Sequence, residues 1–207
     1  MRKLALLAAA PALLVAAAPA MAQTQQQRAL TTESQTGSPP VTDPAAPGAG
    51  VSATGNRADA LTAAGFARLA AMSDLYEMEA SRLAEQRSQN AEVKRFAQHM
   101  LRDHGKTTNE LKGMLPQLQS VSASQMPTSL DQQHQALMQQ LQAAQGAEFD
   151  RVFTRQQVQS HQTAVDLFRA YAQSGDEARL KQWASQTLPS LEEHLREAQR
   201  MQRGTQG

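Results

Sequence analysis

The sequence predicts an all-α protein: four long helices packed as a bundle, with a long crossover that carries a short extra helix. Three observations support this. Ala, Leu and Gln are abundant, β-branched runs are scarce, and aromatic residues make up only 4% of the 207 residues, a composition that favours helix over strand. Apolar residues recur three and four apart along four stretches, which at 100° per residue gathers them on one face. Every proline except Pro189 lies outside those stretches.

The chain opens with an expected export signal, 1–22. Met1-Arg2-Lys3 is a basic start, Leu4–Ala18 is apolar, and Ala20-Met21-Ala22 fits the small-x-small pattern before a cut after Ala22. The apolar run is about fifteen residues, short of the roughly twenty that a spanning helix needs, so no transmembrane anchor is expected after processing. No cysteine follows it to take a lipid and no twin arginine precedes it. The expected location is therefore the periplasm or outside the cell. Residues 23–58 read as a disordered tether rich in Pro, Gly, Ser and Thr, with too little apolar area to offset the entropy of ordering it. The bundle is expected over 59–203 and a flexible tail over 204–207.

Charge and cysteine count narrow the function classes. Of the 20 Lys and Arg, Arg2 and Lys3 fall in the signal, which leaves 18 against 19 Asp and Glu. Nucleic-acid binding needs a concentrated positive face and is not expected. The absence of cysteine excludes disulfides, thiolate metal sites, iron–sulfur clusters and cysteine nucleophiles.

The first helix is expected from an Asp59 cap to near Arg87, with seam Phe66, Ala70, Ser73, Glu77, Ala80 and Ala84. The second follows Asn90 and runs to about Leu115, with Val93, Phe96, Ala97, Met100, His104, Thr107 and Leu111 facing in. The third covers about 147–173, with seam Asp150, Phe153, Gln157, His161, Ala164, Phe168 and Tyr171. Gly175 ends it, and Asp176 is placed to cap a fourth helix over about 177–202, with Leu180, Ala184, Thr187, Leu191, His194, Ala198 and Met201 inward. A kink is expected at Pro189. Short links make the first and last pairs antiparallel hairpins. The link between them is about thirty residues; Ser129-Leu130-Asp131-Gln132 resembles a capping box, and Leu130, Leu137, Leu141 and Ala144 suggest a short helix. A link of that length can cross the bundle and make the second and third helices parallel, the ferritin-like arrangement.

Each seam carries one ionisable residue where an aliphatic one would pack better: Glu77, His104, His161 and His194. Each lies within about one turn of its helix midpoint, so the four should converge on one central layer. Buried imidazoles and a carboxylate must bond to one another, hold a ligand, or bear a desolvation cost of several kcal/mol. Neutral imidazole and carboxylate also suit one divalent zinc, copper or iron ion. Around the layer, Asp103 at the seam edge can orient a histidine. Asp150 and Gln157 lie three turns and one turn before His161. Met100, one turn before His104, could extend the donor set toward copper. His99 and His134 read as solvated.

At these residues the chain resembles the family of secreted bacterial proteins known as domain of unknown function 4142, within the ferritin-like group. The resemblance rests on Glu77 with Ala84, the run from Val93 to His104, Gly146-Ala147-Glu148-Phe149-Asp150, Gln157-Val158-Gln159-Ser160-His161, and the run from Thr187 to Leu195. It covers about 59–203 and implies a ferritin-like bundle and export, with no established activity. Di-iron ferritins carry Glu-x-x-His on two helices, but Leu101 and Leu191 stand three residues before His104 and His194. With so few inward carboxylates a di-iron site is not expected.

Three function classes follow: a metal- or small-ligand-binding bundle, a structural or stress-related bundle whose polar layer is a hydrogen-bond network, and a metal-dependent oxidoreductase of ferritin-like type. No nucleophile elbow, phosphate loop or HExxH occurs, so catalysis would depend wholly on a metal at the layer.

Overall fold

Thr62 starts the first of the four long helices. In the computed structural model, which describes residues 58–205, α1 spans Ala63–Arg87, and the Thr62 hydroxyl accepts the Gly65 N–H at 3.1 Å. Asp59, expected as this cap, lies one turn earlier; its carboxylate pairs with Arg68 and its carbonyl accepts from the Thr62 hydroxyl. The expected signal and, except for Ala58, the expected tether lie outside the described residues. α2, Ala91–Met114, begins as expected after Asn90, whose side chain accepts from the N–H groups of Glu92 and Val93. A cap of this kind contributes about 1 kcal/mol.

The crossover contains two 3-10 turns, Leu115–Gln117 and Ala123–Gln125, and then the expected short helix α3, Gln132–Ala143. Its cap is Asp131, which accepts the His134 N–H at 2.9 Å. The reciprocal capping box forms upstream, between Ser122 and Gln125, rather than at Ser129. α4 spans Gly146–Ser174, and Gly146 enters it at φ 54°, a conformation that glycine adopts at little cost.

The turn into α5, Ala178–Thr205, differs from expectation in one contact. Glu177, not Asp176, accepts the Leu180 N–H, at 2.7 Å. Asp176 instead takes the Tyr171 hydroxyl at 3.1 Å, and its N–H donates to the Leu61 carbonyl. The longer Glu177 side chain reaches the helix end while Asp176 ties the turn to the start of α1. α5 continues as one helix through Pro189. It continues to Thr205, so Gly204 and Thr205 are helical rather than the start of a tail.

Cross-helix contacts fix the topology. α1 meets α4 through Phe66 with Tyr171 and through Tyr76 with Gln156, so residue numbers rise on one helix as they fall on the other. α2 meets α5 in the same sense, through Trp183 with Glu110 and His194 with Asp103. Both contact pairs are antiparallel, and the hairpins are antiparallel, so α2 and α4 run parallel. The long crossover thus produces the ferritin-like order expected from its length.

The apolar interior has two parts, and all four long helices contribute to each. One gathers Phe66, Leu111, Phe168, Tyr171, Leu180 and Trp183 among others. The other gathers Tyr76, Phe96, Met100, Phe149, Phe153 and Met201 among others. Each large side chain buried in them contributes about 1.5–3 kcal/mol. Between the two parts lies the polar layer.

Candidate metal centre

The polar layer forms because helical spacing places one histidine near the middle of α2, α4 and α5. His104, His161 and His194 are 3%, 1% and 2% exposed. Their ring centroids are 5.4–5.8 Å apart, and one ligand atom from each lies within 4.8 Å of the others.

Each ring is held from outside by one nitrogen. His104 Nδ1 donates to Asp74 Oδ1 at 2.7 Å, and Asp74 Oδ2 accepts the hydroxyls of Thr107 and Thr108 at 2.8 and 3.0 Å. His161 Nδ1 donates to the Gln157 carbonyl one turn back, at 2.9 Å. His194 Nε2 donates to Asp103 Oδ2 at 2.9 Å. These bonds fix the tautomers. The remaining nitrogens, His104 Nε2, His161 Nε2 and His194 Nδ1, point inward and have no protein hydrogen-bond partner. Three inward nitrogens, each on a ring backed by an oxygen on its far side, form a donor set that fits a metal ion, the ion displacing the proton that Asp74 favours on His104.

The electrostatics favour neutral rings at two of the three positions. Burial, reinforced by the charge of His104, pushes His161 down to about 3. Burial and the other two histidines push His194 down to about 4. At His104 burial acts in the same direction, but the hydrogen bond and charge of Asp74 outweigh it and hold the imidazole above its usual value. The rings on α4 and α5 are therefore ready to coordinate at neutral pH, and the ring on α2 carries the negative partner.

The other expected residues take different positions. Glu77 is 1% exposed, and its Oε1 lies 3.9 Å from His161 Nδ1. That nitrogen is committed to Gln157, so Glu77 flanks the trio instead of completing its group of mutually close ligand atoms. Neither Glu77 oxygen has a partner. Asp103 orients His194. Gln157 holds His161 with its backbone, while its buried side-chain amide has no partner, and Asp150 Oδ1 is likewise buried and unpaired. Met100 is fully buried within the second apolar cluster.

Asp74 and His99 are the residues that sequence reading missed. The expected seam passes through Ser73, but a bundle helix buries more than one column of residues. The neighbouring column Ala67, Ala70, Asp74, Glu77, Ser81, Ala84 has the same three-four spacing and is buried throughout. His99, read as solvated, contacts both Asp103 and Glu197. His134, also read as solvated, bonds to Asp131 and packs 5.3 Å from the ring of Tyr76. A cleft of about 530 Å³, lined mainly by α2 and α5, reaches the centre, with Asp74, Asp103, His104 and His194 on its wall.

The fold and the site define a class: a ferritin-like helical bundle with a buried three-histidine centre. The chain belongs to the family described as Domain of unknown function (DUF4142), whose model matches residues 48–201. Among solved structures it is similar to CopM in the Cu(II)-bound form, at 20% identity and a TM-score of 0.58, over 69% of this chain and 97% of that one. It is also similar to a protein described as a secreted DUF305 protein from Streptomyces coelicolor, at 17% identity and a TM-score of 0.52, over 69% of this chain and 88% of that one. At these identities the likeness concerns the fold. No curated protein sequence matches the chain. Among the described residues no helix is long and apolar enough to cross a membrane.

Proposed function

We propose that the protein is an exported metal-binding bundle that holds one divalent transition-metal ion on His104, His161 and His194. The observation that carries this reading is the set of three buried ring nitrogens without protein partners that converge between α2, α4 and α5. A hydrogen-bond network with no ligand would have turned those nitrogens toward donors; here each ring is bonded on its outer side only. Imidazoles without thiolate suit zinc, copper and iron, and copper(II) heads the usual order of affinity. The fold shared with a protein solved in its Cu(II)-bound form supports copper. Asp74 and Glu77 supply two negative charges beside the ion, and Asp103 keeps His194 in register. The export reading rests on the basic-apolar-small pattern of residues 1–22 and on the likeness to a secreted protein. The domain is taken to occupy 59–203 behind a tether at 23–58.

The test is metal analysis and thermal melting of the purified chain with EDTA and with added zinc, copper or iron. One equivalent should survive desalting and raise the melt, by about 4 kcal/mol of stability at a thousandfold excess over Kd. A variant with all three histidines changed to leucine should take up none and melt at least as high as the metal-free protein, because well-packed apolar groups often exceed buried polar ones in stability. A wild-type melt indifferent to every metal and to chelator would overturn the reading.

A further inference from the structure

His99 stands between two carboxylates, those of Asp103 and Glu197. Its Nδ1 lies 3.3 Å from Glu197 Oε2 and its Nε2 lies 3.2 Å from Asp103 Oδ2. The same Asp103 oxygen takes the His194 Nε2–H at 2.9 Å. The rings of His99 and His194 meet edge to face with centroids 4.9 Å apart, and His99, Asp103 and His194 each offer a ligand atom within 4.8 Å of the others.

A neutral imidazole has a single N–H. When it points to Glu197, the Nε2 lone pair of His99 faces a carboxylate oxygen, acceptor against acceptor. That edge calls for a cation between the two atoms. A proton would satisfy it, and so would a metal ion. Two features of the position favour the ion. The side chains of His99, Asp103 and Glu197 are 31%, 37% and 28% exposed, so a hydrated ion can reach them from solvent, whereas the three histidines of the centre are buried. Asp103 and His194 also line the cleft that reaches His104, so an ion held on Asp103 lies beside the wall that leads to the centre.

We propose that His99 and Asp103 form an outer loading site for the divalent ion, with Glu197 positioning His99, and that the ion passes from there to the buried trio. The inference rests on the metal-binding reading above. Glu197 fixes the tautomer that turns Nε2 toward Asp103. The ion exchanges its first waters for His99 Nε2 and an Asp103 oxygen. His194 keeps its Nε2–H on Asp103 and offers Nδ1 on the inner side, so the ion exchanges ligands and no proton moves at His194.

The experiment is stopped-flow uptake of zinc(II) or copper(II) by the metal-free full chain, compared between wild type, His99→Ala and Glu197→Gln, with bound metal counted at the end. Removing the imidazole ligand of the encounter site, with both carboxylates retained, should slow loading several-fold in His99→Ala, with one equivalent still held at the end. Glu197→Gln should load more slowly than wild type by a smaller factor. Loading of His99→Ala at the wild-type rate overturns the proposal and leaves the ring between the carboxylates holding a proton only. Loss of the bound equivalent in His99→Ala also overturns it, because His99 would then belong to the centre and not to its approach. If His99→Ala does not fold, Glu197→Gln is judged by the same two criteria. A wild type that takes up no ion defeats the metal-binding reading itself, an outcome distinct from metal binding with an unchanged rate.

Discussion

Asp74 Oδ1 and His104 Nδ1 lie 2.7 Å apart between α1 and α2, with both side chains buried. The other Asp74 oxygen is saturated by two threonine hydroxyls from α2. One carboxylate therefore fixes the tautomer of a histidine and the register of a hairpin. Replacing Asp74 with Asn strands the imidazole and its neighbours and should cost about 3 kcal/mol in the metal-free protein. It should also lower metal affinity about 10–100-fold. Denaturant melts and metal titration of the variant read the two effects separately.

Glu77, one turn along the same helix, should behave in the opposite way. Its oxygens are buried with no partner, so the charge is a burden to the metal-free fold. Glu77→Gln should raise metal-free stability by about 1–2 kcal/mol and weaken binding of a divalent cation by removing a nearby negative charge. A variant that loses stability without metal would show that Glu77 has a partner in solution.

Acid should destabilise the bundle early. His161 and His194 are held down at about 3 and about 4, against an unfolded value near 6.5. The unfolded chain therefore binds more protons over that interval, and their stabilising effect, complete above about pH 6.5, is lost as pH falls toward 4 and 3. His104, held above its usual value by Asp74, acts oppositely: its contribution is complete below about pH 6.5 and fades as pH rises. Two groups outweigh one, so the melting temperature should drop from pH 7 to pH 4. Replacing His161 with Leu should flatten the slope.

Gly175 is required by an aromatic neighbour. A Cβ there would lie 2.6 Å from ring carbons of Tyr171, and that ring is fully buried, stacked on Phe66 with centroids 3.9 Å apart. The ring cannot retreat without unstacking. Gly175→Ala should cost about 1–3 kcal/mol, measurable as a lower denaturation midpoint with metal binding retained.

The sequence reveals the bundle because periodicity is a property of each helix by itself. The four long helices, the crossover helix and the inward aim of His104, His161 and His194 all follow from spacing within one stretch. Contacts between helices are less visible. Asp74 lies one residue from the expected seam, and only the meeting of α1 with α2 shows that its column is buried. His99 sits off the α2 seam, and only the approach of α5 with Glu197 and His194 gives its ring partners. Caps were displaced for a related reason: Asp59, Ser129 and Asp176 all have capping chemistry, but neighbouring Thr62, Asp131 and Glu177 are the ones that reach the free N–H groups.

The interior is apolar at both ends and polar in the middle. A metal-free bundle of this kind has a seam of weakness at mid-height, since its buried apolar residues fall into two separate clusters. Amides near one end can then open to solvent and exchange their hydrogens while the other end stays closed, giving two populations of exchange rate. An ion bound to three of the four long helices at that height would act as a rivet. It would merge the two populations into one, so that the chain opens all at once or not at all.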